Sequence, residues 1–290
     1  MKSKFAAVFV STLMFLMCSI NIAAAELNIY QLSKEDTARV KALIKKLEPF
    51  IHQRDKTKDL ARLTFDELYA PLNSQEQAFL KSFQNLKAKD LGVKIPFRQF
   101  ATGKEDLIVI VKQMVKVRDH QKENTKKDYR ELAPQFLPRN VYAKYKVMAD
   151  AMRKDLGKRL LIESGYRSSA YQLYLVVYYL QNHKYSMKET VKYVAMPGYS
   201  EHGAPAFQAI DFINEDGING EDNPSEFDVL PEFDWLMKNA KKYGFVLSYP
   251  KNAGNGITYE PWHWRYEERI LTDKVFPGIY KGQKGRVDGY

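Results

Sequence analysis

Two short histidine-bearing stretches near the C-terminal end constrain this chain more than any other feature. One is Ser200-Glu201-His202, running on to Asp211; the other is Glu260-Pro261-Trp262-His263, and a predicted helix lies between them. Two histidines and one carboxylate are the protein ligands that a catalytic zinc takes, with a fourth position left for water. Glu260, three residues before the second histidine, is placed to take the proton that such a water loses. A fold that uses both stretches has to bring them to one place, and the pair reads as a zinc hydrolase.

The N-terminal end is set apart from the fold. Lys2 and Lys4 precede an apolar run from Phe5 to about Ile20 and then Ala23-Ala24-Ala25, the pattern of a secretory signal over residues 1–25, cleaved before Glu26. The run is too short for a transmembrane anchor, so no stable membrane insertion is expected after cleavage. Cys18 is the single cysteine, and with it removed the exported chain relies on an ordinary hydrophobic core without disulfides. The formal charge of +10, or +8 once Lys2 and Lys4 are gone, favours an acidic partner surface. Export points to an anionic bacterial wall or membrane face rather than nucleic acid. The expected location is the periplasm or cell wall of a bacterium.

Residues 26–139 read as a mainly helical region without a constellation that carries chemistry. Ser33 opens a helix in which Val40, Leu43, Ile44 and Leu47 recur at helical spacing. Ser74 with Gln77 resembles a capping box ahead of Phe79, Phe83 and Leu86. Leu107 to Val111 is an apolar run of strand length, and the basic stretch from Lys112 to Arg130 reads as a solvated helix or loop. Pro134 and Pro138 place a boundary there, so that residues 140–290 form the domain that holds the chemistry.

Within that domain Val141, Tyr145, Met148, Met152 and Leu156 form a helical stripe closed by Gly157. Leu160 to Ile162 is a short strand that delivers Ser164-Gly165-Tyr166-Arg167-Ser168 into a helix over Ser169 to Asn182, so Arg167 sits on a strand-to-helix turn. A further helix starts at Ser186, with Glu189 completing a capping box, and ends before Pro197-Gly198. Ala209 to Ile213 reads as a buried strand in which Asp211 asks for a cation, since an unpaired buried carboxylate loses its hydration. Capping a turn is the ordinary role for such an aspartate. The stretch from Asn214 to Glu226 hints at a divalent-ion loop but fails the calcium spacing.

Phe233, Leu236, Met237 and Ala240 make another amphipathic helix, Phe245 to Tyr249 the next strand, Asn252 to Gly256 a flexible connection, and Thr258 to Tyr266 the last strand. Strict alternation there would place Glu260 and His263 on opposite faces. Pro261 offers a break that lets Glu260 precede the regular strand, with Trp262 and Trp264 on the other face against helices. The element order gives an α+β fold, a small antiparallel or mixed sheet flanked by helices and preceded by the mainly helical N-terminal region.

Three segments, Ser164-Gly165-Tyr166-Arg167-Ser168 with Gln172, Pro197-Gly198-Tyr199-Ser200-Glu201-His202, and Glu260-Pro261-Trp262-His263-Trp264-Arg265-Tyr266, together resemble the VanY-type D-alanyl-D-alanine carboxypeptidases. These belong to a zinc peptidase group, the LAS group, that also includes D-Ala-D-Ala dipeptidases and some phage L,D-endopeptidases. The resemblance covers about Val141 to Tyr266. It implies one Zn2+ per chain held by His202, Asp211 and His263, Glu260 as general base and then acid, and Arg167 on the oxyanion or substrate carbonyl. Ser200, Tyr166 and Gln172 are the implied substrate contacts.

The implied activity is hydrolysis of peptide bonds in peptidoglycan stem peptides, chiefly removal of the terminal D-Ala from D-Ala-D-Ala ends. A peptidoglycan endopeptidase of the same group and a non-catalytic, zinc-containing wall-binding module are the alternatives. Glu260 and Arg167 argue against the module, because a structural zinc needs neither and prefers a closed four-ligand shell. One spacing departs from the family: Asp211 lies nine residues after His202, two more than usual. An even change keeps strand parity, and Glu201 and Glu215 stand as the alternative ligands.

Overall fold

The computed structural model describes residues 27–118, 128–252 and 258–267. The expected signal at residues 1–25 and most of the connection from Asn252 to Gly256 lie outside them. The strands are β1 (Leu107–Ile110), β2 (Met114–Lys116), β3 (Tyr129–Glu131), β4 (Gln135–Pro138), β5 (Leu160–Ser164), β6 (Ala209–Asn214), β7 (Phe245–Leu247) and β8 (His263–Tyr266). The helices are α1 (Lys34–Lys56), α2 (Phe65–Tyr69), α3 (Ser74–Gln84), α4 (Arg139–Leu156), α5 (Ser169–Tyr179), α6 (Met187–Thr190), α7 (Pro224–Phe227) and α8 (Pro231–Asn239). The chain is an α+β fold around a four-stranded sheet of order β5-β6-β8-β7, with every pairing antiparallel.

Alternation along β6 decides what each face of that sheet does. Ile210 and Phe212 turn to one side, where they join Val141, Tyr145, Met148 and Met152 of α4 and Phe233 and Leu236 of α8 in a single core. Tyr145 stacks on Phe212 at 6.1 Å, and its hydroxyl donates to the Leu160 carbonyl at 2.9 Å. Gly157 ends α4 at φ +69°, in the left-handed region, with its N–H on the Arg153 carbonyl. Leu156, although in phase with the stripe, is 36% exposed. Asp211 and Ile213 turn to the opposite side. Ile213 packs there under Val115, Leu132 and Leu161, while Asp211 opens onto a cleft.

The stretch from Lys112 to Arg130 departs from expectation. Its described parts form the β2–β3 ribbon, in which Val115 is fully buried between exposed Met114 and Lys116. Three residues of alternation are too few to read from sequence among so many charges. Some of those charges are paired on the surface, as in Lys116–Asp216 and Arg118–Glu226.

The N-terminal helices pack directly on the helix that follows Arg167. Val40, Leu43, Ile44 and Leu47 of α1, together with Phe79, Leu80 and Phe83 of α3, share one core with Leu173, Val176 and Val177 of α5. Two capping boxes start the short helices, Thr64 with Glu67 for α2 and Asn73 with Glu76 for α3. The second begins one residue before the expected Ser74–Gln77 pair, because the Asn73 side chain already takes the free N–H. The helix from Ser186 keeps its cap but lasts a single turn. Thr190 turns its hydroxyl back onto the Ser186 carbonyl, and β-branched Val191 and Val194 follow.

Candidate metal centre and active site

β6 and β8 bring two of the expected residues into register, with Asp211 directly opposite His263. On the other side Asp211 is paired with Ser164 of β5, past a bulge that skips Glu163. His202 arrives on a tight 3-10 turn, Glu201–Gly203, and a second turn, Pro205–Phe207, takes up the extra residues before β6. The turn is held against the Arg167 loop by the Arg167 N–H on the His202 carbonyl at 3.0 Å. Gly203 permits this approach, since a Cβ there would stand 2.9 Å from the Arg167 carbonyl oxygen.

His202 Nε2 lies 3.1 Å from Asp211 Oδ2, and His263 Nδ1 lies 2.8 Å from Asp211 Oδ1, with the two rings nearly perpendicular at 5.0 Å. One ligand atom from each of the three residues falls within 4.8 Å of the others, and among the described residues this is the one such group. The far nitrogens are also occupied. His202 Nδ1 donates to the Gly165 carbonyl at 2.7 Å, and His263 Nε2 faces Glu201 Oε2 at 3.2 Å. Outer partners of this kind fix imidazole orientation at metal sites. The donor set and its supports fit zinc.

The electrostatics match the geometry. Burial works against the Asp211 charge, yet the two histidines outweigh it and hold the carboxyl far below its usual range. Burial also opposes charge on His263, but Asp211 and Glu201 on either side push it up to about 10. His202 goes the other way, lowered by burial that Asp211 offsets only in part. Glu201, 2% exposed, would be raised by burial, but His263, Ser248 and Arg265 bring it down to about 2.

Glu260 precedes β8, where the His263 N–H closes a turn on its carbonyl, and its Oε2 reaches within 3.8 Å of His263 Nδ1. Burial, only partly countered by His263 and reinforced by Asp211 and Glu221, pushes its carboxyl up to about 7. Trp264 packs on Phe233 in the helix-side core, and Trp262, partly buried against the same core, also covers Gly220 and lines the cleft. The Arg167 guanidinium donates to Gln172 Oε1 at 3.1 Å and to Ser164 Oγ at 3.4 Å. Gln172 in turn donates to the Ala195 carbonyl at 2.6 Å, so both ends of its amide are engaged within the protein. Ser200 is on the cleft wall. Glu215 is held by Arg159 at 2.9 Å, on a separate ion pair.

Tyr166 lines the cleft, but its hydroxyl is committed to the Glu105 carboxylate and to the Gly103 N–H. Burial works to raise the Glu105 carboxyl, and the hydrogen bonds from Tyr166 and Thr102 bring it below its ordinary value. A carboxyl lowered by folding stabilises above its unfolded pKa and loses that contribution as pH falls. Tyr166→Phe is therefore expected to cost about 1–2 kcal/mol at neutral pH. The gap from wild type should narrow below about pH 4, which urea denaturation at pH 7 and pH 3.5 would check.

Sequence reasoning missed three residues around the centre. Tyr249 stacks on His263 at 4.9 Å, and Arg98 and Arg265 approach Glu201 at 2.8 and 3.8 Å. Arg265 and Glu201 stand inside the quoted motifs, so their pairing had a local signal; Arg98 had none.

The family described as VanY, D-alanyl-D-alanine carboxypeptidase, matches residues 134–269. The D-alanyl-D-alanine carboxypeptidase of Enterococcus faecalis (strain ATCC 700802 / V583) is 33% identical over 136 residues, covering 44% of this chain and 47% of that protein. The bifunctional D-Ala-D-Ala dipeptidase and D-Ala-D-Ala carboxypeptidase VanXYC of Enterococcus gallinarum is 30% identical over 166 residues, covering 53% of this chain and 82% of that protein. The solved structure of the LdcB LD-carboxypeptidase aligns at 26% identity with a TM-score of 0.41, over 58% of this chain and 72% of that one. The chain spans less than half the length of three curated relatives it matches, at 42%, 47% and 42%. Because the likeness runs through four fifths of the E. gallinarum protein, and the family match includes all three residues of the cluster, this chain belongs to the VanY family of D-alanyl-D-alanine carboxypeptidases.

Proposed function

We propose that this protein is a zinc peptidase that removes the terminal D-Ala from D-Ala-D-Ala ends of peptidoglycan stem peptides, acting outside the cytoplasm after export. The observation that carries this reading is the convergence of His202, Asp211 and His263 beside Glu260 at a cleft of ≈ 810 Å³ that Arg167 also lines. One zinc per chain would be held by His202 Nε2, His263 Nδ1 and the Asp211 carboxylate. When bound, it supplies Lewis-acid chemistry, polarising the scissile carbonyl and acidifying water.

The remaining steps fall to the chain's own groups. Glu260, with a carboxyl near neutrality, takes a proton from the attacking water and returns it to the leaving amine. Arg167 keeps further guanidinium N–H groups beyond those given to Gln172 and Ser164, and they stabilise negative charge as it develops on the carbonyl oxygen. Gln172 acts by aiming Arg167, Ser200 offers substrate contact at the wall, and Tyr166, buried with Ala101 and Phe136, supports the wall from behind rather than touching substrate.

The cleft continues from Gln172 along one face of α5, past Tyr171, Leu175 and Tyr179. At 1.5 Å per helical residue this face is about 12 Å long, room for roughly three or four residues of extended peptide upstream of the cut. No helix among the described residues is long and apolar enough to cross a membrane.

The test is mass-spectrometric analysis of peptidoglycan fragments ending in D-Ala-D-Ala after incubation with zinc-loaded protein. Loss of a single alanine is the expected product. Release of D-Ala-D-Ala or an internal cut would reassign the bond cleaved, and an inert protein with zinc still bound would overturn the peptidase reading in favour of a wall-binding module.

A further inference from the structure

The buried carboxylate of Glu201 has no part in the steps above, yet it is the most enclosed charge beside the metal cluster, with its side chain 1% exposed. A carboxylate so placed is tolerated only with charged and hydrogen-bonding partners. One oxygen, Oε2, faces His263 Nε2 at 3.2 Å, and the other, Oε1, accepts from Arg98 Nη2 at 2.8 Å. Arg265 stands farther from that oxygen, at 3.8 Å, and is drawn to Glu267. The shortest ion pair to Glu201 therefore comes from the N-terminal region, 103 residues away in the chain.

Arg98 is itself fixed. Its backbone N–H donates to the Gly198 carbonyl at 2.8 Å, and its guanidinium lies over the Phe207 ring at 5.2 Å. Just beyond it, Ala101 and Ser169 exchange two hydrogen bonds of 2.9 Å, tying this segment to the start of α5. Arg98 and Glu201 are thus presented on anchored backbone.

We propose that Arg98 and Glu201 are positioning residues of the metal centre, a relay in which Arg98 orients Glu201 and Glu201 holds His263 Nε2 so that Nδ1 faces the metal. It rests on the zinc-site reading of His202, Asp211 and His263. Without Arg98, the Glu201 carboxylate turns toward Arg265 and leaves His263 Nε2, and the imidazole loses the support that aims its other nitrogen. The N-terminal region then has a defined task, completing a metal site whose ligands all lie beyond residue 200.

Zinc affinity, measured on the full chain by competition with a chromophoric chelator and without substrate, tests the relay. Arg98→Met and Glu201→Gln are each expected to weaken binding about 10–100-fold, the usual effect of losing an outer partner of a ligating histidine. Arg98→Lys should recover part of the loss. The double variant should bind no more weakly than Glu201→Gln alone, because both changes break one path. Cobalt(II) loading adds a spectroscopic readout, with the visible bands of Arg98→Met shifted from wild type. If Arg98→Met fails to fold, Arg98→Lys carries the test through its intermediate affinity. Unchanged affinity in these variants, or additive losses in the double variant, would overturn the relay alone. A wild-type chain that binds no zinc would overturn the metal centre and the relay with it.

Discussion

Replacing Glu260 by alanine is expected to lower kcat on a D-Ala-D-Ala peptide about 10²–10⁴-fold, the usual contribution of a positioned general base, with zinc retained. The two parts have separate causes. Glu260 is outside the His202–Asp211–His263 group, with its carboxylate 3.8 Å from His263 Nδ1, so its loss leaves the ligand set intact. Its burial, which lifts the carboxyl to about 7, is what suits it to accept and return a proton near neutral pH. Glu260→Gln keeps the shape and removes the basicity, and should fall as far as Glu260→Ala. Turnover by mass spectrometry and zinc content by atomic absorption on the same samples give the answer. Retained turnover would remove Glu260 from the chemistry, and zinc lost along with activity would make it a ligand.

Removing the metal is expected to abolish turnover and to lower the thermal midpoint by roughly 5–10 °C. The second figure follows from mass action, since a ligand at 100 times its Kd stabilises the folded state by about 2.7 kcal/mol. A chain of this size shifts by about 2–4 °C per kcal/mol. The ion would join β6, β8 and the turn at His202, three segments that unfolding separates. Differential scanning calorimetry of zinc-loaded and chelator-treated protein reads the shift directly. In Asp211→Ala the increment should vanish and zinc stoichiometry should drop from one towards zero. An unchanged midpoint in wild type would mean that the cluster does not bind zinc tightly.

Much of the local structure was legible because its causes lie within a few neighbouring residues. The stripe of Val141, Tyr145, Met148 and Met152 with Gly157 after it became α4, and the apolar run around Asp211 became β6. The break at Pro261 did free Glu260 from the strand, since regular pairing starts at His263. The errors were also local in cause. The ribbon at Met114–Lys116 is too short for its alternation to stand out among lysines, and the helix at Ser186 carries a cap but lacks the residues to continue.

The sequence by itself determined which residue types were at hand, two histidines, several carboxylates and an arginine at a strand-to-helix turn, and the phase in which Asp211 and His263 meet their strands. Side-chain periodicity and capping are short-range and survive in a string of letters. Only the tertiary structure decided which carboxylate faces the histidines, since Glu201, Asp211 and Glu215 differ less in sequence than in what surrounds them. Asp211 lies between the two imidazoles, Glu201 behind one of them, and Glu215 on Arg159. Arg98 likewise gained its place from packing, because the partner of a buried charge is chosen by which distant segment the hydrophobic core carries to within about 3 Å of it.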